Sequence, residues 1–96
     1  MEKRNSERIK IHRQIRLNDK AAMLVNINRL GLQLIIATPP KYKKATLVIV
    51  DEGIQIKLEG IICWAQRVPG VRAMIQLGIT IKEADNEFYD LVDKIS

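Results

Sequence analysis

The sequence predicts a mainly β domain, a small six-stranded antiparallel β-barrel followed by one C-terminal α-helix. Apolar and polar residues alternate along most of the chain, which is the period of a half-buried strand. Short turn signals separate these stretches, and after Lys82 the spacing of apolar residues becomes helical. Because closure removes exposed strand edges, we expect the sheet to be closed or nearly closed.

Three strands are predicted in the first half of the chain. Residues 9–17 alternate apolar and polar side chains, and residues 21–27 form a second, mostly apolar stretch. A third strand is expected over residues 32–36, after a break at Gly31.

Two further strands are predicted around a tight turn. The β-branched run at 46–50 ends at the turn signal 51–53, and a fifth strand follows at 54–64. We expect a bulge or bend at Gly60. Trp64 shares the predicted inner face of this strand, so we expect its ring in the core.

The last strand and the helix have the clearest patterns. Apolar residues occupy every odd position of 71–81, and the pair Pro69-Gly70 supplies the turn that makes a hairpin with the fifth strand. Acidic Asp85 and Glu87 stand where a helix dipole favours them. Helical spacing is then shown by Phe88, Leu91, Val92 and Ile95.

The chain has the length of one small domain. Its 96 residues can enclose a single hydrophobic core but not two. We therefore expect one domain over residues 1–96, with an N-terminal arm at 1–8, the barrel at 9–82 and the helix at 84–96. No apolar run is long enough for a membrane-spanning helix, so we expect no membrane insertion.

Positive charge is concentrated in the first half. Residues 1–44 carry eleven basic and three acidic side chains, whereas residues 45–96 carry five and eight. This distribution favours an anionic partner. Part of the charge lies at 41–44, a Lys-Tyr-Lys-Lys segment that we interpret as solvated surface with long-range attraction for anions.

An arginine pair precedes the first strand. Arg4 and Arg8 are four residues apart, and two guanidinium groups at this spacing can pair with phosphate or stack on a base. The alternative interpretation is a solvated basic arm at a frayed terminus.

A second polar motif lies at the exit of the second strand. It contains Asn26, Asn28 and Gly31. Asparagine side chains often bond their own backbone, and glycine accepts turn conformations, so a plain turn is one interpretation. An amide also offers a donor and an acceptor to a purine edge, so ligand binding is compatible with the same turn.

In order and spacing, the two motifs resemble those of the PilZ domain, a small β-barrel with a C-terminal helix that typically binds the bacterial second messenger cyclic di-GMP. Arg4 and Arg8 match the family's RxxxR, and Asn26 and Gly31 match its later [D/N]xSxxG. Asn28 stands where the family usually has Ser.

The resemblance continues downstream of these motifs. Residues 60–64, Gly-Ile-Ile-Cys-Trp, stand in the place of the family's G-x-V-x-W segment. Gly78 and Ile79 begin its G-[IV]-x-F segment, in which Ile81 replaces the usual aromatic. The resemblance thus spans nearly the whole chain and implies a PilZ-like split barrel.

The resemblance also implies a ligand-binding set. Arg4 and Arg8 would bind phosphate or guanine, Asn26 and Asn28 would contact guanine or ribose-phosphate atoms, and Gly31 would leave the bend without a Cβ.

Two further expectations follow from the resemblance. Lys3, the residue before the first arginine, is a possible contact, because this position has been associated with ligand stoichiometry in the family. The arm at 1–8 is expected to be mobile until ligand draws its arginines onto the barrel.

The leading hypothesis is a non-enzymatic cyclic di-GMP receptor that signals to an unknown downstream protein through ordering of its arm. A first alternative, motivated by Asn28, is a PilZ-fold interaction module with weak or no ligand binding. A second is a small basic barrel that binds RNA or DNA. With only four aromatic residues, a base-stacking strand face is hard to assemble, so nucleic acid is not expected.

Enzyme chemistry and cofactors are not expected. The sequence has a single His, His12, and no Gly-rich phosphate loop or hydrolase motif. A lone Cys63 excludes an intramolecular disulfide, and there are too few soft ligands for structural zinc. The N-terminal segment lacks the apolar run of a secretory signal, so we expect a cytoplasmic location.

Overall fold

The predicted alternation appears as six strands that close on themselves. A computed structural model describes the backbone of residues 9–95 and the side chains of residues 15–95. The elements are β1 (Ile9–Leu17), β2 (Lys20–Ile27), β3 (Gly31–Ile36), β4 (Lys44–Asp51), β5 (Ile54–Arg67), β6 (Ile75–Ala84) and α1 (Asn86–Ile95). The strands form a closed antiparallel barrel in the order β1-β2-β3-β6-β5-β4, which confirms the predicted fold class.

Aliphatic side chains fill the barrel. Eight of them have no exposed surface: Leu24, Ile27, Leu32, Leu34, Ala45, Leu47, Ile49 and Leu77. The helix adds the buried side chains of Phe88, Leu91 and Val92, as its spacing predicted. Burying each such side chain stabilises the fold by about 1.5–3 kcal/mol relative to exposure, so the core is the main source of stability.

The antiparallel order separates the connections into two ends. The helix end holds the start of β1, the turns at 28–30 and 52–53, and α1. The loop end holds the turn at 18–19 and the loops at 37–43 and 68–74. A ligand at one end is therefore separated from a partner at the other by the length of the strands.

The barrel closes through a short seam between β1 and β4. Only Ile15, Arg16 and Leu17 of β1 have register partners on β4, whereas seven residues of β1 have partners on β2. Asn18 extends the seam, because its backbone N–H donates to the Thr46 carbonyl at 2.9 Å and its Oδ1 accepts from the Thr46 N–H at 2.9 Å.

The last strand is shorter than the alternation predicted. β6 begins at Ile75, and residues 71–74 belong to the loop, so the strand prediction for 71–74 is wrong. The Val71 N–H donates to the Val68 carbonyl at 3.2 Å, and Gly70 has a φ of 77°, as in a turn with Pro at its second position. Ala73 has a φ of 62°, which is incompatible with a strand.

The boundary between strand and helix also lies later than predicted. β6 continues to Ala84, and α1 begins at Asn86 rather than at residue 84. The Asp85 carboxylate accepts a hydrogen bond from the Lys57 backbone N–H at 2.9 Å, and the Asp85 N–H donates to the Lys57 carbonyl at 3.0 Å. These bonds extend the pairing of β5 and β6 by one residue, up to the start of the helix.

Gly60 lies at the first irregularity of β5. The register with β6 shifts between Glu59 and Gly60, which confirms the expected bulge. A Cβ at this position would overlap the Thr80 carbonyl oxygen, so the close approach of the two strands requires glycine.

A second irregularity turns Trp64 outward. The register shifts between Ile62 and Trp64, so that Ile62 pairs with the buried Ile79 and Trp64 pairs with the outward-facing Gly78. Cys63 is the extra residue, and it reverses the alternation of β5. Trp64 is 40% exposed, so the prediction that it lies in the core is wrong.

Candidate functional site

The three basic residues predicted to bind ligand precede the described part of the chain. Lys3, Arg4 and Arg8 lie outside residues 9–95, but the point where they attach is defined. β1 begins at Ile9, whose register partner is Ile27, the last residue of β2. The arm therefore joins the barrel beside the end of β2.

Asn26 lies at this end of β2 and belongs to an amide network on the outer surface. Its Nδ2 donates to Gln33 Oε1 at 2.8 Å, and Gln76 Nε2 donates to the same oxygen at 3.1 Å. The network joins β2, β3 and β6, and all three side chains are half-buried. Within residues 15–95, Gln33 Nε2 has no hydrogen-bond partner, so it is a donor that a ligand can use.

Trp64 lies in the same transverse row of the barrel as Asn26. Asn26 pairs with Gln33, Gln33 with Gly78, and Gly78 with Trp64. Three strand spacings of about 4.8 Å separate the ends of this row by roughly 14 Å. The indole covers Gly78, because a Cβ there would overlap the ring.

We call Asn26, Gln33, Gln76, Gly78 and Trp64 the amide–indole face. It combines hydrogen-bonding amides with one exposed ring and contains no charged side chain. Such a surface can contact the edge and the plane of a base but cannot neutralise a phosphate. The cations for an anionic ligand must come from outside it.

Asn28 stabilises the turn between β2 and β3. Its Oδ1 accepts hydrogen bonds from the backbone N–H groups of Leu30 at 2.8 Å and Gly31 at 2.9 Å. Its own N–H donates to the Gly31 carbonyl at 2.9 Å. The Asn28 oxygen is thus engaged in the fold, and its Nδ2 has no partner within residues 15–95.

Gly31 is required by the approach of two strands. It pairs with Thr80 of β6, and a Cβ at residue 31 would overlap the Ile79 carbonyl oxygen. That overlap is with backbone, which cannot move aside without breaking the pairing. The predicted ligand-binding role of Gly31 stays a prediction beside this structural role.

Arg29, inside the same motif, contacts the helix. Its guanidinium pairs with the Asp93 carboxylate at 3.0 Å and lies 4.9 Å from the centre of the Tyr89 ring. This arginine joins the turn at 28–30 to α1. Its exposure and its helix partners distinguish it from the amide–indole face.

A second contact joins α1 to the barrel. Lys94 Nζ lies 2.8 Å from Asp51 Oδ2 and 3.6 Å from Glu52 Oε2. The hydrogen bond to Asp51 raises the pKa of Lys94 above its ordinary value of 10.5. This pair fixes the end of the helix against the turn at 52–53.

Two other classes of site are not found in the described residues. No group of three or more His, Cys, Asp or Glu side chains in that part of the chain is placed to hold a metal ion. Among residues 9–95, no helix has the length and apolar character needed to traverse a bilayer.

The structure identifies three residues of the amide–indole face that the sequence prediction omitted as site residues. Gln33 is the one polar residue of β3 and Gln76 is one of several in β6, and their meeting with Asn26 depends on the register of three strands. Trp64 reaches the face through the bulge at Cys63. A glycine opposite an aromatic, as at Gly78, is the one signal that could have indicated this packing.

Comparisons with protein-family models, curated proteins and solved structures find no match to this chain. The resemblance to the PilZ domain therefore stays a prediction that depends on the ordered motifs.

Proposed function

We propose that the protein is a non-enzymatic cyclic di-GMP receptor of the PilZ type. The observation that supports this most is the register of Ile9 with Ile27. It joins the arm that carries Arg4 and Arg8 to the strand end that carries Asn26. The start of β1, to which the arm is attached, and the second motif thus lie at the same end of the barrel.

The chemistry of the face complements that of the arm. Cyclic di-GMP has two phosphates and two guanines, so it needs cations as well as contacts to base edges and planes. The amide–indole face offers donors, acceptors and a ring but no charge. Arg4 and Arg8 would supply the charge, with forked donors that suit phosphate or the O6 and N7 atoms of guanine.

Asn28 is compatible with this proposal. Its side-chain oxygen stabilises the turn at 28–30 by accepting two backbone hydrogen bonds, and its Nδ2 would be available to donate a hydrogen bond to a ligand. Serine, which the family usually has here, offers the same kind of acceptor to a turn with a smaller side chain. We therefore expect binding to be retained, with Asn28 acting as donor.

The signal would pass to a partner protein when ligand orders the arm, and Lys3 would extend the cationic surface. Binding would order residues that precede β1, and the ordered arm would create a new surface at the helix end. We expect this receptor in the cytoplasm. The partner, like the location, is part of the proposal.

The direct test is calorimetric titration of cyclic di-GMP into the whole chain at about 0.15 M salt, where long-range phosphate attraction is screened. Arg4→Ala and Arg8→Ala should each weaken binding by about tenfold to a hundredfold, since a charged hydrogen bond contributes roughly 1.5–3 kcal/mol. Arg72→Ala, an exposed arginine at the loop end, is the matched control and should bind like wild type.

Two results would overturn the proposal. Absence of binding to the wild-type chain would favour the alternative of an interaction module with the same fold. An equal loss in Arg72→Ala would indicate nonspecific attraction by the net positive charge, and the nucleic-acid alternative would then be tested by its salt dependence. GTP as competitor distinguishes cyclic di-GMP from a general guanine nucleotide.

A further inference from the structure

A groove opens at the loop end of the barrel, opposite the end at which β1 starts. It encloses about 320 Å³ between the β1–β2 turn and the β3–β4 loop. Its walls are mainly apolar and are formed by Leu17, Ala21, Ile36, Pro39, Pro40 and Tyr42. The two prolines fix their own backbone φ angles, so one wall of the groove is stiff before any partner binds.

Tyr42 is the exposed aromatic of this region. Its side chain is 71% exposed and forms a wall of both this groove and an adjoining one that includes Val48 and Thr46. No hydrogen bond to its hydroxyl is found within residues 15–95. A large ring between two depressions is a typical anchor in a protein interface, because it adds contact area at small entropic cost.

Unpaired lysines surround the groove. Lys20 and Lys41 line it, and Lys43 and Lys44 follow in the same loop. Within residues 15–95, none of these four ammonium groups forms an ion pair. Asp19 in the neighbouring turn is an acidic residue close to them in sequence.

Acidic residues collect at the opposite end. The helix end carries Asp51, Glu52, Glu83, Asp85, Glu87 and Asp93. Several of these carboxylates are ion-paired with Arg29 or Lys94, whereas the four lysines of the loop end have no ion pair among the described residues and can attract an acidic partner. The groove therefore has both an apolar cavity and a matching electrostatic surround.

We propose that this groove binds an acidic peptide segment of a partner protein, with one apolar side chain in the cavity and carboxylates facing Lys20 and Lys41. A peptide fits better than a nucleic acid, because the walls consist mainly of aliphatic and proline side chains and include one aromatic ring, that of Tyr42. Base stacking needs several exposed aromatic faces. The proposal goes beyond cyclic di-GMP binding, since the groove and the start of β1 lie at opposite ends of the barrel.

The test begins with a display library of random peptides selected on the whole wild-type chain and counter-selected on Tyr42→Ala. Selected peptides should combine an apolar residue with flanking Asp or Glu. Synthetic copies of these peptides are then titrated with each variant, and binding is measured by fluorescence anisotropy. Compared with wild type, Tyr42→Ala should bind them roughly tenfold more weakly and Lys41→Glu several-fold more weakly. Lys82→Glu, an exposed lysine at the helix end, is the matched control and should bind like wild type.

Amide NMR shifts locate the binding site and test the fold of each variant. All three substitutions are at exposed positions, where folding is largely unaffected. Peptide addition should shift residues 36–44 and the turn at 18–19, while the helix end stays unchanged. A cyclic di-GMP titration of the same Tyr42→Ala protein should be unaffected, so failure of one proposal is distinguishable from failure of the other.

Several outcomes would overturn the proposal. They are failure to enrich any peptide over the counter-selection, enrichment of peptides without net negative charge, and shifts confined to other residues. Concentration-dependent shifts of 36–44 without peptide would identify a second copy of the chain as the occupant. Displacement of the peptide by a single-stranded oligonucleotide at lower concentration than by unlabelled peptide would identify a polyanion surface instead.

Discussion

Trp64 lies over Gly78, its pairing partner across β5 and β6, and the indole occupies the space in which a Cβ of residue 78 would stand. The absence of a side chain at Gly78 is therefore what allows the ring to pack on the outside of the barrel. This packing positions the ring on the amide–indole face, beside the Gln33 and Gln76 amides.

Gly78→Ala should displace the ring. The added methyl overlaps the indole, so the ring moves toward water, and the fold loses about 1 kcal/mol through overpacking. Because the chain has one Trp, a red shift of its fluorescence emission reports the displacement directly. Gly53→Ala is the control: its Cβ meets no neighbouring atom but its φ of 81° strains an alanine, so it should lower stability and leave the emission unchanged. An unchanged spectrum in Gly78→Ala would contradict the packing.

Asn28 allows structure and binding to be separated. Asn28→Ala removes the acceptor for two backbone N–H groups and should lower the free energy of unfolding by about 1–3 kcal/mol, measured by urea denaturation. Asn28→Asp keeps the acceptor and should retain most of this stability. It also replaces the Nδ2 donor by a negative charge, so it should weaken cyclic di-GMP binding. Equal stability of the Ala and Asp variants would show that the turn does not depend on this oxygen.

Arg29 should contribute modestly to the attachment of the helix. Arg29→Ala removes an exposed ion pair and the contact with the Tyr89 ring, with an expected loss of about 0.5–1 kcal/mol in denaturant unfolding. Arg29→Lys keeps the charge but not the planar group, so its stability should lie between that of wild type and that of Arg29→Ala. If the Lys variant were as unstable as the Ala variant, the ring contact would account for the whole effect.

The Lys94–Asp51 pair predicts a dependence of stability on alkaline pH. The pKa of Lys94 is raised in the folded state, chiefly by its hydrogen bond to Asp51, so the contribution is fully present below the ordinary value of 10.5. It is lost as the pH rises through the higher folded-state pKa. Urea unfolding from about pH 9 to about pH 12 should therefore show wild type losing its advantage over Lys94→Gln at the alkaline end. A constant difference over that range would contradict the pairing.

Much of the fold could be predicted from the sequence because burial has a period of two along each strand. The strand at 32–36 is an example, since Leu32 and Leu34 are fully buried and Gln33 faces outward. The helix was predicted in the same way, from apolar residues spaced three or four apart, and Phe88, Leu91 and Val92 are its buried side chains. The turn at Pro69-Gly70 also predicted a hairpin of the last two strands, and β5 and β6 do pair.

The errors occurred where one residue changes the backbone rather than the pattern. Cys63 reverses the alternation of β5, so Trp64 was assigned to the wrong face. At 71–74 the alternation continues, but the positive φ of Ala73 ends the extended conformation. Neither a bulge without glycine, as at Cys63, nor a left-handed residue other than Gly or Asn has a clear sequence signature.

The candidate site was predicted only in part, for a related reason. Asn26, Asn28 and Gly31 form a local motif and could be read along the chain. Gln33 and Gln76 meet Asn26 only through the register of three strands. Contacts of that kind require the fold, since the two glutamines are far apart in sequence.

β1 is joined to its two neighbours unevenly, and its seam with β4 has the fewest register pairs of any strand pairing in the barrel. It is held by seven register pairs on its β2 side but by three on its β4 side, together with the Asn18 bonds. The lowest-energy opening of the barrel should therefore separate β1 from β4, and the amide hydrogens of Thr46 and Val48, which face β1, should exchange with solvent before those of β5 and β6. Since the arm continues directly into β1, ordering of the arm would act on one side of the seam whose opening costs least.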